Sequence, residues 1–175
     1  MAKDKKSKVI RKANINDLGV ISSIYETARR FMASQGNPGQ WGQHYPPKEQ
    51  IIEDIEKEQL YVYETEGDVH GVFVFAIGED PTYQHIENGS WISDSTYGFI
   101  HRVAGDGTQK GLVKNIMEYC SKTISHLRID THEDNKIMQH LILKNGFKQC
   151  GIIFTANGSP RIAFERMAEG KIHGK

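Results

Sequence analysis

Apolar residues in the first half of the chain switch between the period of a strand and the period of a helix. Residues 9–13 favour a strand, and apolar residues then recur every three or four positions through 18–32, which predicts an amphipathic helix. A proline pair at 46–47 is a helix-start signal and predicts a second, short helix. Residues 60–65 and 69–77 are rich in aromatic and β-branched types around a polar turn, so they predict a hairpin.

The second half of the chain repeats this alternation. Its strand-like segments, separated by turn residues, are 97–104, 127–131, 147–155 and 161–167. Two helices are predicted between them, with apolar faces formed by Leu112, Val113, Ile116, Met117, Cys120 and Ile124, and by Ile137, Met138, Leu141 and Ile142. Asn135 is a good N-cap residue for the last helix, and Gly146 is suited to its C-terminal end. A polar loop is predicted over 78–96.

The element order β-α-α-β-β, then β-α-β-α, then β-β, predicts an α+β fold. We expect an α/β/α sandwich with one mixed central sheet of about seven strands and about four helices. The chain contains no internal repeat and no linker rich in Pro, Gly or Ser, so residues 9–168 are expected to form a single domain. Residues 1–8 are predicted to be a disordered basic tail and residues 169–175 a C-terminal tail.

Charge and composition narrow the class of function. The 22 Lys and Arg residues balance the 22 Asp and Glu residues, which argues against a nucleic-acid-binding surface. No segment has the apolar length of a membrane span, and the first residues lack the apolar core of a signal peptide. Cys120 and Cys150 lie in apolar periodic segments, where reduced, buried thiols are expected. These features are typical of a cytoplasmic enzyme or binding protein.

Two motif blocks at a fixed separation carry a family resemblance. The first is the strand His101-Arg102-Val103-Ala104 with a glycine-containing turn into a helix at Lys110-Gly111. The second runs from Asp130-Thr131-His132-Glu133-Asp134-Asn135 to Asn145-Gly146-Phe147. Together with the element order, they resemble the GCN5-related N-acetyltransferase (GNAT) superfamily over roughly residues 9–167. The resemblance implies acetyl-coenzyme A as co-substrate.

The turn before the third helix is the implied pyrophosphate site. A helix N-terminus offers unpaired backbone N–H groups and a partial positive charge to phosphate oxygens. The resemblance assigns this role to Thr108, Gln109, Lys110, Gly111, Leu112 and Val113. Only Gly111 matches the family pattern strictly, with Gly105 and Gly107 as further sources of backbone freedom and Lys110 as a counter-charge. The alternative is a plain strand-to-helix connection.

The resemblance also assigns contacts with the rest of the coenzyme. In the family the strand before the turn splays from its neighbour, so Arg102, Val103 and Ala104 would bond the pantetheine arm, with the Val103 N–H near the thioester carbonyl. Asn135 would contact the coenzyme or serve only as an N-cap. The tyrosine that many members use as a general acid is replaced by Ile142.

His101 is the candidate general base, since an imidazole can accept a proton from an alkyl-ammonium acceptor at neutral pH. Strand alternation is expected to place Phe99, His101 and Val103 on one face of the sheet. The alternative is a buried histidine bonded to neighbouring backbone. The resemblance implies an N-acetyltransferase that transfers the acetyl group of acetyl-coenzyme A to a primary amine by direct attack in a ternary complex. The alternative is a non-catalytic acyl-coenzyme A binding or sensing module on the same fold, and His101 favours the enzyme.

Acceptor binding is expected in the segment after the first helix, where Trp41 and Tyr45 are the candidate residues; the alternative is an aromatic plug that holds a loop. The implied acceptor is a small-molecule amine or a protein N-terminus. The sequence leaves the oligomeric state open, with a homodimer as one alternative. Asp130, His132, Glu133 and Asp134 match no zinc spacing, so they are assigned to a solvated helix-start loop and no metal is expected.

Overall fold

The computed structural model describes residues 7–167, and within them every predicted helix and strand is found in the predicted order. The strands are β1 (Lys8–Lys12), β2 (Leu60–Thr65), β3 (Asp68–Ile77), β4 (Gly98–Gly105), β5 (Leu127–Thr131), β6 (Lys148–Phe154) and β7 (Pro160–Arg166). The helices are α1 (Leu18–Ser34), α2 (Lys48–Glu56), α3 (Leu112–Thr123) and α4 (Lys136–Lys144). Lys8, assigned to the N-terminal tail, opens β1; the rest of that predicted tail except Ser7, and the predicted C-terminal tail, lie outside the described residues.

The strands form one seven-stranded sheet in the order β1-β2-β3-β4-β5-β7-β6. The pair β4–β5 is parallel and every other pair is antiparallel, so the sheet is mixed as predicted. One buried cluster packs α1 and α2 against one face, and a second packs α3 and α4 against the other. None of the four helices within residues 7–167 is both long enough and apolar enough to span a bilayer.

The helix ends follow the signals in the sequence. Asn14 caps the short 3-10 turn that leads into α1, and its backbone N–H in turn donates to the Asp17 carboxylate at 2.8 Å, which makes a capping box. The Asn135 side chain accepts from the Met138 backbone N–H at 3.1 Å, so its predicted N-cap role is confirmed. Gly146 has φ +88° just after α4, as a helix-ending glycine requires.

The parallel pair at the centre of the sheet separates before its strands end. β4 is paired with β5 only over Gly98–Ile100, although β4 continues to Gly105. The predicted splay of β4 from its neighbour is therefore present, and the last residues of β4 lie beside a gap on the β5 side.

A β-bulge interrupts β4 at the same place. His101 lies opposite Val74 and Ala104 lies opposite Val72, so Arg102 and Val103 together face one residue of β3. Arg102 has φ +50°, in the left-handed region. The extra residue reverses the alternation of side chains along the rest of the strand.

The prediction that Phe99, His101 and Val103 share one face of the sheet is therefore wrong for Val103. Val103 packs against the cluster formed with α3 and α4, whereas Ala104 belongs to the cluster formed with α1 and α2. The predicted alternation of side chains assumes a regular β4. One bulged residue turns every later side chain to the other face of the sheet.

The predicted polar loop before β4 is packed in place. It contains a short 3-10 turn, Pro81–Tyr83, and the guanidinium of buried Arg128 lies 4.0 Å from the ring centres of both Trp91 and Tyr97. Arg128 also donates to the fully buried Glu165 at 2.9 Å. These contacts hold the loop against the start of β5, where it is still paired with β4.

Candidate active site

Two cavities flank the end of β4 and meet there. The first, of about 510 Å³, lies between α1, the β4–α3 turn and the start of α4. The second, of about 700 Å³, lies between the segment after α1, the end of β5 and the β6–β7 hairpin. Val103 and Met138 line both, so the two cavities adjoin at these residues.

The first cavity contains most of the residues predicted to bind the coenzyme, namely Val103, Ala104, Gln109, Leu112, Val113 and Asn135. The other three, Thr108, Lys110 and Gly111, are exposed residues of the turn at its edge. The assignment of all nine residues to the coenzyme stays a prediction.

Gly111 is the N-cap residue of α3 and has φ +72°. The first helical bond is donated by the Asn115 backbone to the Gly111 carbonyl at 3.0 Å, so the N–H groups of 112–114 have no partner inside the helix. Gly107 also has positive φ, at +82°. Gly105 serves another purpose, because a Cβ there would lie 2.6 Å from the Leu112 side chain. The turn thus presents N–H groups without an intrahelical partner at the cavity edge.

A buried amide faces the first cavity with one atom unused. Asn37 is 2% exposed, and its Nδ2 donates to Gln40 Oε1 at 2.9 Å. Its Oδ1 has no hydrogen-bond partner among residues 7–167. Gln40 Oε1 also accepts from Asn135 Nδ2 at 2.9 Å, which ties the segment after α1 to the start of α4. The Asn37 carbonyl is therefore a fixed acceptor in need of a donor.

His101 lines the second cavity between two carboxylates. Its Nε2 is hydrogen-bonded to Asp80 Oδ2, and its Nδ1 lies 3.6 Å from Asp130 Oδ2. Because a carboxylate can only accept, Nε2 carries the hydrogen and Nδ1 is the nitrogen able to take a proton. Asp130 Oδ2 also accepts from the Tyr83 hydroxyl at 2.7 Å. The ring is thus held in one orientation.

The charge state of these neighbours is set by burial and hydrogen bonds. Burial would raise the pKa of Asp80, but the hydrogen bond and charge of His101 and two donors on Thr82 outweigh it and hold that pKa at about 2. Burial, together with the nearby Asp130 carboxylate, raises the pKa of Tyr83 well above its usual value. At neutral pH, Asp80 is therefore ionised and Tyr83 remains a donor.

Solved structures show the same architecture along almost the whole chain. A GNAT-family acetyltransferase from Streptococcus agalactiae superposes with a TM-score of 0.84 at 28% identity, covering 93% of this chain and 96% of that one. The chain has the GNAT fold.

More distant GNAT structures agree. A GNAT-family acetyltransferase from Listeria monocytogenes matches with a TM-score of 0.70 at 17% identity, over 96% of this chain and 99% of that one. A ribosomal-protein-alanine N-acetyltransferase from Brucella melitensis matches at 0.60 and 17% identity, over 91% and 99%. No protein-family model matches the chain, and no curated protein matches its sequence. The predicted GNAT resemblance is confirmed by structure.

The predicted acceptor residues of this GNAT-fold chain line the second cavity, and one of them also supports the loop. Trp41 packs edge-on to Tyr25 at 5.6 Å between ring centres and joins the cluster under α1. Tyr45 is 37% exposed, and its hydroxyl accepts from Arg102 at 3.1 Å. Trp41 therefore both holds the loop in place and lines the second cavity.

Sequence reasoning missed both carboxylates beside His101. Asp80 lies in the predicted polar loop, where its side chain caps the 3-10 turn by accepting from Thr82. Asp130 was assigned to a solvated loop, which is wrong, since it lies in β5 with its side chain only 14% exposed. Its position in a strand that is otherwise buried was the available signal. Within residues 7–167, no three His, Cys, Asp or Glu side chains are grouped to hold a metal ion.

Proposed function

We propose that this chain is an N-acetyltransferase that moves the acetyl group of acetyl-coenzyme A to a primary amine by direct attack. The observation that carries the proposal is the junction of two cavities at Val103, where β4 leaves β5 and His101 lines the acceptor side. A thioester and an amine bound in separate cavities would meet at that junction. The acetyltransferases of the same fold support this reading.

The first cavity suits the coenzyme. Its volume of about 510 Å³ is within the range of ligand sites, and its wall includes the part of β4 that is unpaired with β5. An extended arm rich in amides can hydrogen-bond to such a strand edge. The buried Asn37 Oδ1, which lacks a donor among the described residues, would be satisfied by an amide N–H of that arm.

The N-terminus of α3 suits the phosphates. The free N–H groups of 112–114 lie at the cavity edge, and Lys110 and Lys114 are exposed nearby. Together they offer backbone donors and positive charge to a pyrophosphate.

The second cavity supplies the proton chemistry. An alkyl-ammonium ion has a pKa of roughly 10 and must lose a proton before its nitrogen can attack. His101 Nδ1 is the acceptor for that proton, directly or through one water, while Asp80 fixes the ring through Nε2. The new carbon–nitrogen bond forms as the carbon–sulfur bond breaks. With Ile142 at the family's tyrosine place, sulfur leaves as a thiolate, which its pKa of roughly 8 to 9 permits.

The test is release of free thiol from acetyl-coenzyme A by the purified chain, with and without a panel of primary amines. Amine-dependent release together with an equal amount of N-acetylated product is the expected result. If coenzyme binds in a calorimetric titration but no amine releases thiol, the chain is a binding or sensing module instead.

A further inference from the structure

The second cavity has opposite charges at two places on one sheet face. Asp80 and Asp130 lie beside His101, and Glu79 also lines this side. Arg161, on β7, lines the same cavity and is 7% exposed. A ligand that fills the cavity therefore meets both signs of charge.

Arg161 is a buried guanidinium with no carboxylate partner. It donates to the backbone carbonyls of Pro160 and Gln40, each at 2.9 Å, and to the Ser159 hydroxyl. Within residues 7–167, no carboxylate lies within ion-pair distance of it, whereas buried Arg102 and Arg128 each have one. A buried guanidinium whose hydrogen bonds all go to neutral groups has no direct counter-charge, so it is suited to an anionic ligand group.

The sheet register places Asp130 and Arg161 at neighbouring positions. Asp130 is directly opposite Ala163 in the β5–β7 pair, and Arg161 is two residues from Ala163 on the same face. The Cα atoms of such diagonal positions are about 7–8 Å apart. A small ligand that carries both an ammonium and a carboxylate group can therefore contact Asp130 and Arg161 together.

We propose that the acceptor is a free amino acid, with its ammonium group beside His101 and Asp130 and its carboxylate on Arg161. The inference rests on the proposed N-acetyltransferase function and names its substrate class. A polyamine would place a second cation against Arg161, and an arylalkylamine has no anionic group to pair with the guanidinium. The ammonium group loses one proton to His101, and the neutral amine then attacks the thioester carbon. As the carbon–sulfur bond breaks, the second amine proton is lost and ends on the departing thiolate, and the product keeps its carboxylate.

Matched acceptors test the proposal on the unmodified protein. Thiol release is measured with the standard amino acids and, for phenylalanine and arginine, with the amide and the decarboxylated amine, phenethylamine or agmatine. The values of kcat/KM are corrected for the fraction of neutral amine. We expect at least one amino acid to exceed its amide and its decarboxylated amine by about 10²-fold, the effect of a lost buried charge pair.

If the decarboxylated amines or the amides react as well as the amino acids, the inference fails while the N-acetyltransferase function stands. If a peptide N-terminus is preferred over every free amino acid, the acceptor is a polypeptide. If no amine of any kind releases thiol, the proposed function fails, and the inference with it.

Variants of Arg161 separate recognition from support of the fold. Arg161→Met should lower kcat/KM for the preferred amino acid about 10²-fold more than for its decarboxylated amine, chiefly through KM, and Arg161→Lys should recover part of that difference. Arg166→Met on the same strand, outside the cavity, is the control. An equal loss for both acceptors, matched by a lower Tm, would show that Arg161 only supports the hairpin.

Discussion

His101 is held by groups that come from distant parts of the chain, and its position makes a direct prediction. If Nδ1 accepts the proton, His101→Ala should lower kcat about 10²- to 10⁴-fold and remove the neutral-pH limb of the rate profile. Coenzyme affinity should change little, because His101 does not line the first cavity. Steady-state kinetics and a coenzyme titration measure the two effects.

His85→Ala is the matched control, since the His85 side chain is 73% exposed and lies outside both cavities. Wild-type kcat and pH profile in His101→Ala would assign the proton to bulk water.

Asp80 links this site to stability at low pH. Its pKa is lowered from 3.8 to about 2 in the folded chain, so its ionised form stabilises the fold fully above about pH 4. That contribution is lost as the pH falls from 4 towards 2. Asp80→Asn should therefore give a shallower fall of Tm with pH in this window than the wild type, measured by thermal unfolding. Asp94→Asn, at an exposed position of the same loop, should follow the wild-type curve.

At this scale the sequence predicted some site residues and missed others for a physical reason. His101, Trp41 and Tyr45 were predicted, and all three line the second cavity. Asp80 and Arg161 were not, because each comes from a segment whose place in the second cavity is set by tertiary packing alone. No local period or spacing in the sequence indicates which distant segments will pack together.

Among the elements, the bulge in β4 is stabilised by an ion pair with α2. The Arg102 guanidinium donates to both carboxylate oxygens of Asp54 at 2.8 Å, and the Tyr25 hydroxyl donates to the Arg102 carbonyl at 2.8 Å. Asp54→Ala would leave a largely buried cation unpaired, which should lower the free energy of unfolding by about 3 kcal/mol in urea denaturation.

Glu53→Ala, on the same helix, removes a solvent-exposed pair with Lys57 and is the control, with little expected change in the urea midpoint. A similar midpoint for both variants would show that the Arg102–Asp54 pair does not hold the bulge.

The turn before α3 permits a cleaner test than a bulky substitution. Because Gly111 has φ +72°, valine there would strain the backbone whether or not phosphate binds. Asparagine tolerates that conformation, so Gly111→Asn should keep the fold and weaken coenzyme binding by placing a side chain over the free N–H groups. The comparison is Gly67→Asn, at φ +87° in the β2–β3 turn, in calorimetric titrations. Equal coenzyme affinities for the two variants would show that the phosphates do not bind at this turn.

For the whole molecule, the sequence predicted the number, type and order of the elements, because each one has a clear hydrophobic period and clear end signals. The helix faces of α3 and α4 and the hairpin β2–β3 are examples. The bulge at Arg102 and the early end of β4–β5 pairing at Ile100 have no such local period. They depend on packing between elements, and they create the site.

The gap between β4 and β5 also divides the hydrogen bonding of the sheet into two parts. Only Gly98–Ile100 pair across it, so β1–β4 and β5–β7 are two hydrogen-bonded units joined by a short seam. Units joined in this way can open locally without global unfolding. In native-state hydrogen exchange, amides of β4 after Ile100 should exchange faster than those of β3, and coenzyme should slow them selectively. Protection that is uniform with and without coenzyme would contradict this. Coenzyme bound in the gap would then couple the two units, so that they unfold together as one cooperative unit.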